Sequence, residues 1–513
     1  MRSKKALLAL ILVTLACLLV PATGYSAVIS AASTTQAAVQ AAINTASSGD
    51  TVAVPAGSST WSTGVNIPSN KKITLQGLGI GSTTITASSY AGMLVQMNQS
   101  GSRVTGFSFV NGLIHPDGTG WRIDNCDLAN TSGNVNSQVI MTYSEQGAIL
   151  PTGLIDHCTF ENAKVVVWGI PSSDSEVGPE NALWAQDMQL GDANAVYIED
   201  CTFTCQYNSS MECCDSHHGG RVVFRHNIVN DMFIQNHSIQ GVERGARSLE
   251  IYNNTFAEKN FPGVAWKPIR IRSGTGVIFN NTITGAWSDA GLGIDNERDT
   301  VSEWGSPPNQ IVPIPGYAYG MTSSALAFNA AAKTITIGSG TFAIASATVL
   351  GWYPGDVIQV QGSASNDGQY TIANISSTVV TVRESLVNES PGATVHIRNP
   401  WDGIDGYPAR DQPGYGKDSG LITAPTYRSG DTWYTQISMP LYEWNNTYNG
   451  TAVHWEVIED SYNLVILQQG RDFFNSTTMP GYAPYTYPHP LIAAWSGSIS
   501  QPPAPPKNLR IKQ

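Results

Sequence analysis

The sequence predicts an all-β fold: a right-handed parallel β-helix solenoid with an N-terminal helical cap and an inserted small antiparallel β-barrel-like module. Three observations predict it. Charged residues are only 13% of the 513-residue chain, while 49 glycines and many Ser, Thr and Asn residues supply turn chemistry. Short alternating segments recur with one fixed ending. No helical period separates the copies, which signals a solenoid.

The elements follow in order. Residues 1–27 form a signal peptide. Arg2, Lys4 and Lys5 precede the apolar run Ala6 to Val20, and small residues from Ala22 to Ala27 offer a cleavage site. An exported location, extracellular or periplasmic, is expected. No later stretch is apolar enough for a transmembrane helix. The net charge of −12 and pI near 5.2 argue against a nucleic-acid partner. A monomer is expected.

Residues 28–320 carry the repeat. Its copies are Trp121-Arg-Ile-Asp-Asn-Cys-Asp-Leu128, Gly153-Leu-Ile-Asp-His-Cys-Thr-Phe160, Val196-Tyr-Ile-Glu-Asp-Cys-Thr-Phe203, Val222-Val-Phe-Arg-His-Asn-Ile-Val229, Leu249-Glu-Ile-Tyr-Asn-Asn-Thr-Phe256 and Gly276-Val-Ile-Phe-Asn-Asn-Thr-Ile283. Alternation of apolar and polar residues marks each as a strand with one buried face. Cys126, Cys158, Cys201, Asn227, Asn254 and Asn281 share one position, at spacings of 32, 43, 26, 27 and 27. Stacked coils about 4.8 Å apart would set these residues in one column, where Asn side chains hydrogen-bond along the axis. The three cysteines read as small packing residues, and Cys205, Cys213 and Cys214 leave room for one disulfide.

Residues 321–398 differ in kind. Thr334-Ile-Thr-Ile337, Val357-Ile-Gln-Val360, Tyr370-Thr-Ile372 and Val379-Val-Thr-Val382 are closely spaced strands between turn clusters such as Ser365-Asn-Asp-Gly368, the inserted β module. Residues 399–497 resume the coils, since Leu441-Tyr-Glu-Trp-Asn-Asn-Thr-Tyr448 places Asn446 in the column. Tyr482 to Pro490 reads as an extended strap against the helix. Residues 498–513 are a proline-rich tail.

The start of the chain carries a family resemblance. Gln36-Ala-Ala-Val-Gln-Ala-Ala-Ile43 has a helical period, Gly49-Asp-Thr-Val-Ala-Val-Pro55 follows as a strand, and Ile73-Thr-Leu-Gln-Gly77 begins the next coil. With the repeats, this resembles the right-handed parallel β-helix family that includes pectate lyases and related polysaccharide enzymes. The resemblance covers roughly residues 34–310 and resumes near 400–495. Ile155-Asp156-His157 echoes a strand motif of that family, and Lys267-Pro268-Ile-Arg270-Ile-Arg272 loosely echoes its arginine–proline motif with the spacing off by one. The paired aspartates and Gly-His-Gly of polygalacturonase hydrolases are missing.

The resemblance implies that the strand preceding the column lines a substrate groove. In Pro268-Ile-Arg-Ile-Arg272, alternation turns Arg270 and Arg272 outward. Counting back eleven residues from the column gives Ser216, Glu243 and Arg270, and counting nine gives His218, Gly245 and Arg272. His218, Arg270, Arg272 and Lys267 are therefore the candidate catalytic residues. Arg244, Arg247, Glu243, His217 and Arg221 are the candidate substrate contacts. Cations hold a uronate carboxylate while a base removes the proton α to it. Such β-elimination often uses calcium, for which Glu212 and Asp215 are the candidate ligands. The competing reading is an ion-pair ladder of Glu243 with Arg270. Asp402, Asp405, Arg410, Asp411 and Asp418 form a second polar loop.

Two functional classes are expected. One is a secreted lyase acting on an acidic polysaccharide. The other is a non-catalytic cell-surface or extracellular β-helix protein, structural or binding a cell-surface glycan.

Overall fold

The computed structural model describes residues 26–133, 138–144, 149–170, 183–184, 186–207, 211–237, 244–261, 267–289, 291–295, 321–342, 352, 354, 357–398, 411–423, 432–458 and 467–496. The expected signal peptide, apart from its last two residues, and the proline-rich tail lie outside them. None of the described helices is long and apolar enough to cross a membrane.

The fold is a parallel β-helix. Three sheets of 12, 10 and 11 strands run its length among the described residues, parallel throughout except for the last strand of the third, Thr451–Ala452, which pairs antiparallel with Thr447–Tyr448. Such parallel crossovers are right-handed as a rule. Inward residues of all three sheets form one continuous core that includes Ile155, Ile198, Phe224, Ile251 and Ile278. Helix α1 (Gln36–Thr45) closes the first coil, burying Val39, Ala42 and Ile43 on one face. Its Gln36 and Gln40 side chains donate to the carbonyls of Gly64 (2.9 Å) and Asn66 (3.1 Å).

The column is as the repeat implies. Backbone N–H and side-chain Nδ2 of Asn227 both donate to Asn254 Oδ1, at 2.8 and 3.2 Å. Asn254 does the same to Asn281 at 3.1 and 3.0 Å, and Asn281 to Asn446 at 3.1 and 2.9 Å. Each Nδ2 also donates to a strand carbonyl of the preceding coil, such as Phe224 for Asn254 at 2.9 Å. The residue before each member takes the left-handed conformation (Asn125, His157, Asp200, His226, Asn253, Asn280 and Asn445, φ 50–58°). Asn, Asp and His tolerate that turn, which explains the conserved form of the repeat ending within this chain.

Cys126, Cys158 and Cys201 are buried in the upper coils, and no disulfide forms among the six described cysteines. The expected disulfide is thus corrected. Cys213 and Cys214 are neighbours in one strand, and Cys205 donates to the Tyr207 carbonyl at 3.2 Å.

The module of Met321–Arg398 is a seven-stranded antiparallel sheet with its own core, including Phe328, Trp352, Ile358 and Val380. The start of the expected resumed coils, 399–410, lies outside the described residues. Tyr415–Thr423 and Thr432–Ser438 form an antiparallel hairpin first, and Leu441–Trp444 is the strand that pairs in parallel with Thr275–Phe279. Because Asn281 bonds directly to Asn446, joining the chain across 321–398 with a short linker should leave the helix folded. Far-ultraviolet circular dichroism and a cooperative melt of that deletion check this, and an unfolded product contradicts it.

The strap covers the outer face of the first sheet. Tyr252, Phe279 and Trp444 stack at 4.6 and 4.4 Å, with Tyr482 edge-on beside them. Fully buried Arg225 bonds Glu199, the Tyr252 hydroxyl and the carbonyls of Tyr485 and Thr486. Tyr482 Oη donates to Glu250 Oε2 at 2.6 Å, and the Gly191 N–H donates to its Oε1 at 2.9 Å. Burial pushes Glu250 up to about 7. A raised carboxylate pKa contributes stability below the unfolded value that is lost as pH rises through 7. Glu250→Gln mimics the protonated side chain. It should match the wild type at pH about 5 and melt higher at pH about 8. Equal melting points at the higher pH would contradict the assignment.

Candidate functional site

The face in question is the outer side of the second sheet. Its central strands are β1 (Lys164–Trp168), β2 (Glu212–His217), β3 (Phe233–Gln235), β4 (Ile269–Ile271), β5 (Leu292–Ile294) and β6 (Trp455–Val457). Register pairs Val166 with Asp215, Gln235 with Arg270, Arg270 with Gly293, and Gly293 with Glu456. Two residues on, Trp168 pairs with His217. Continuing the same register sets His237 next in that row, then Arg272. The His217 and His237 rings stack at 4.1 Å, and Arg272 lies close enough for its charge to weigh on His237. The row is recessed, with His217 9% and Arg272 2% exposed.

A compact ion network underlies it. His237 Nδ1 is 2.6 Å from Asp215 Oδ1, which also accepts the Ser216 N–H at 2.8 Å. Burial pushes His237 down to about 3 against the pull of Asp215, so its neutral ring donates through Nδ1 and keeps a lone pair on Nε2. Burial opposes the charge of Asp215 too, but His237 and His217 outweigh it and hold the carboxyl well below the usual range. Lys164 Nζ sits 2.6 Å from Glu212 Oε2 and 3.7 Å from Asp215 Oδ2.

The structure places the expected residues unevenly. Arg270 and Arg272 point outward as the alternation implies. Arg270 is clamped by Asp295 of the next coil, through Nε to Oδ1 at 2.9 Å and a second bond from its other nitrogen. The described partner of Arg270 is thus Asp295, in a buried pair and not the exposed pairing with Glu243 that was expected. Glu243 lies outside the described residues. His217 is in the row.

His218 is not: it occupies the corner before Gly219, at φ 50° and 76°, where the chain turns into the first sheet. Its ring is packed edge-on to Trp168 at 4.5 Å, and burial pushes it down to about 3. Lys267 bridges Asp289 (2.6 Å) and Glu456 (2.9 Å) at the edge of the face. Arg221 begins a first-sheet strand and donates to the Asp187 carbonyl at 3.3 Å.

Arg244 and Arg247 are structural ties. Arg244 is held by Asp411 (2.6 Å), whose Oδ2 also accepts the Gly245 N–H at 2.9 Å. Arg247 donates to the carbonyls of Gly416, Leu183 and Gln186. Asp411 of the second polar loop is thus an internal clamp, Asp418 falls in the hairpin, and Asp402, Asp405 and Arg410 lie outside the described residues. The calcium pair is also used otherwise. Glu212 is satisfied by Lys164 and Gln235, so the cation between the two carboxylates is the Lys164 ammonium.

Sequence reasoning missed Lys164, Gln235, His237 and Asp295. Counting back from the column assumed equal corner lengths. Between Gln235 at the end of β3 and the next described strand at Ser248 lie residues 236–247, whereas β2 and β4 are followed by strands beginning at Arg221 and Thr275. Apolar Met232 and Ile234, alternating with Gln235 and His237, carried the missing signal.

No protein-family model matches the chain, and no curated protein does. Among solved structures it is similar to an alginate lyase from Paenibacillus sp. str. FPU-7, at 12% identity and TM-score 0.30, over 52% of this chain and 92% of that one. It is similar to a tailspike of Pseudomonas phage phi297 at 13% identity and TM-score 0.16, over 71% and 91%. A tailspike mutant of E. coli bacteriophage HK620, in complex with pentasaccharide, gives 12% and 0.19, over 71% and 90%. At these values the likeness carries no argument about chemistry.

Proposed function

We propose that this chain is an exported carbohydrate-active protein that binds an acidic, uronate-containing polysaccharide along the second sheet and cleaves it by β-elimination. The observation that supports this most is the recessed row of His217, His237 and Arg272 beside Arg270, in a chain of net charge −12. Elimination needs a cation at the uronate carboxylate, a base for the α proton and a proton for the leaving oxygen. In this reading Arg272 faces the carboxylate. His237, held by Asp215 through Nδ1, offers Nε2 as the base.

The proton on carbon 5 passes to Nε2. Its electron pair forms the carbon 4–carbon 5 double bond as the bond from carbon 4 to the glycosidic oxygen breaks. That oxygen takes up a proton from His217 or from water. Trp168 flanks the row with a ring suited to stacking on a pyranose.

The test is incubation of the mature chain with alginate, polygalacturonate and uronate-bearing glycosaminoglycans, reading the ultraviolet absorbance of unsaturated uronate. Absorbance should rise with at least one polymer. Binding without cleavage would favour the second reading, a rigid solenoid presenting a glycan-binding module, which the separate core of Met321–Arg398 supports. Neither binding nor cleavage would remove both.

A further inference from the structure

We propose that Asp215, His217 and His237 form a binding site for a divalent transition-metal ion of the zinc class. One carboxylate oxygen and two imidazole nitrogens, one from each residue, lie within 4.8 Å of one another. A tetrahedral ion at about 2.0–2.1 Å from its ligands sets them roughly 3.4 Å apart, so modest side-chain rotations close the set. Two imidazoles and a carboxylate suit zinc, cobalt or nickel. Calcium takes oxygen ligands in greater number and is a poor match.

The donors are fixed before any ion arrives. The Ser216 N–H orients the Asp215 carboxylate at 2.8 Å. The two imidazoles come from adjacent coils, with ring planes 21° apart. All three lie on the recessed outer face, and three protein ligands leave a fourth position for water or a ligand oxygen, the arrangement of reactive rather than purely structural zinc sites. Lys164 opposes a second cation from 3.7 Å, but Glu212 compensates its charge from 2.6 Å.

Binding would replace the proton shared at 2.6 Å between Asp215 and His237. It therefore does not depend on the proposed lyase chemistry. Only its consequence does: an ion on His237 would compete with proton abstraction and slow cleavage.

The whole mature chain, stripped with a chelator, is titrated with zinc, cobalt(II) and calcium by calorimetry, with cobalt also read by visible absorbance. One equivalent of zinc should bind and raise the melting temperature, cobalt should give ligand-field bands, and calcium should do neither. His217→Gln combined with His237→Gln should weaken zinc binding by about two orders of magnitude and abolish the bands. If that variant does not fold, Asp215→Asn, which preserves shape, is read in the same way. No zinc binding up to millimolar concentration, or affinity unchanged in the variants, overturns the proposal. The titration contains no polysaccharide. Zinc bound without any uronate cleavage keeps this inference and removes the lyase reading, and cleavage without zinc binding does the reverse.

Discussion

Asn254→Ala should destabilise the protein by about 2–6 kcal/mol, since the Asn227 N–H and the Phe224 carbonyl lose a partner at about 1–3 kcal/mol each, while Asn227 Nδ2 keeps the Ile198 carbonyl. The substitution strips Asn254 Oδ1 from both the backbone N–H and the Nδ2 of Asn227, and removes the Nδ2 donor from the Phe224 carbonyl. All of these atoms belong to residues sealed in the core, where water cannot replace the lost partner. The cost is not confined to one coil. Asn227 in turn supplies the acceptor for the Cys201 N–H at 2.9 Å, so a shift of its side chain propagates upward. Urea denaturation of wild type and variant measures the difference. A change below about 1 kcal/mol would mean that coil packing alone holds the stack and the column adds little.

His237→Gln should lower uronate cleavage by about 10²–10⁴-fold, the range for loss of a positioned general base. Glutamine can still donate through its amide N–H toward Asp215 but has no lone pair suited to taking a proton from carbon. The melting temperature should change far less than for Asn254→Ala, because the ring stands on the outer face and not in the solenoid core. Turnover within tenfold of wild type would assign the base elsewhere. Arg270→Ala cannot serve in this role. It would leave Asp295 a buried carboxylate without its guanidinium, at a cost of several kcal/mol, so lost activity would confound folding with chemistry.

The fold was legible because the solenoid repeats its constraints. The turn that places Asn, Asp or His in the left-handed conformation, the column residue after it and the apolar alternation before it recur in each coil from Trp121 to Ile283, and Leu441 to Tyr448 shows the same signs after a long interruption. The strap was legible for a different reason: a run of Tyr and Pro residues has no helical or strand period and must lie on a surface. The site was legible only in part. Arg270 stands in a short strand and Arg272 directly after it, and the alternation from Ile269 to Arg272 is local and strict. Gln235 ends a strand of only three residues and His237 follows it, and the long interval before the next strand breaks any count from the column. The partners Asp295 and Lys164 come from neighbouring coils, and axial neighbours in a solenoid are separated in sequence by whatever the intervening corners contain. The hairpin before Leu441 was hidden too, since its strands carry no column residue.

The central claim is that the second sheet is the face that meets an acidic polysaccharide. Isothermal titration of a uronate oligosaccharide into wild type, Arg272→Ala and Thr255→Ala tests it in one set of measurements, with Thr255 exposed on the third sheet as the control. Wild type and Thr255→Ala should bind with equal affinity, while Arg272→Ala should bind at least about tenfold more weakly, the equivalent of about 1.4 kcal/mol. Undiminished binding by Arg272→Ala, or a loss in Thr255→Ala alone, would place the polysaccharide on another face and contradict the account.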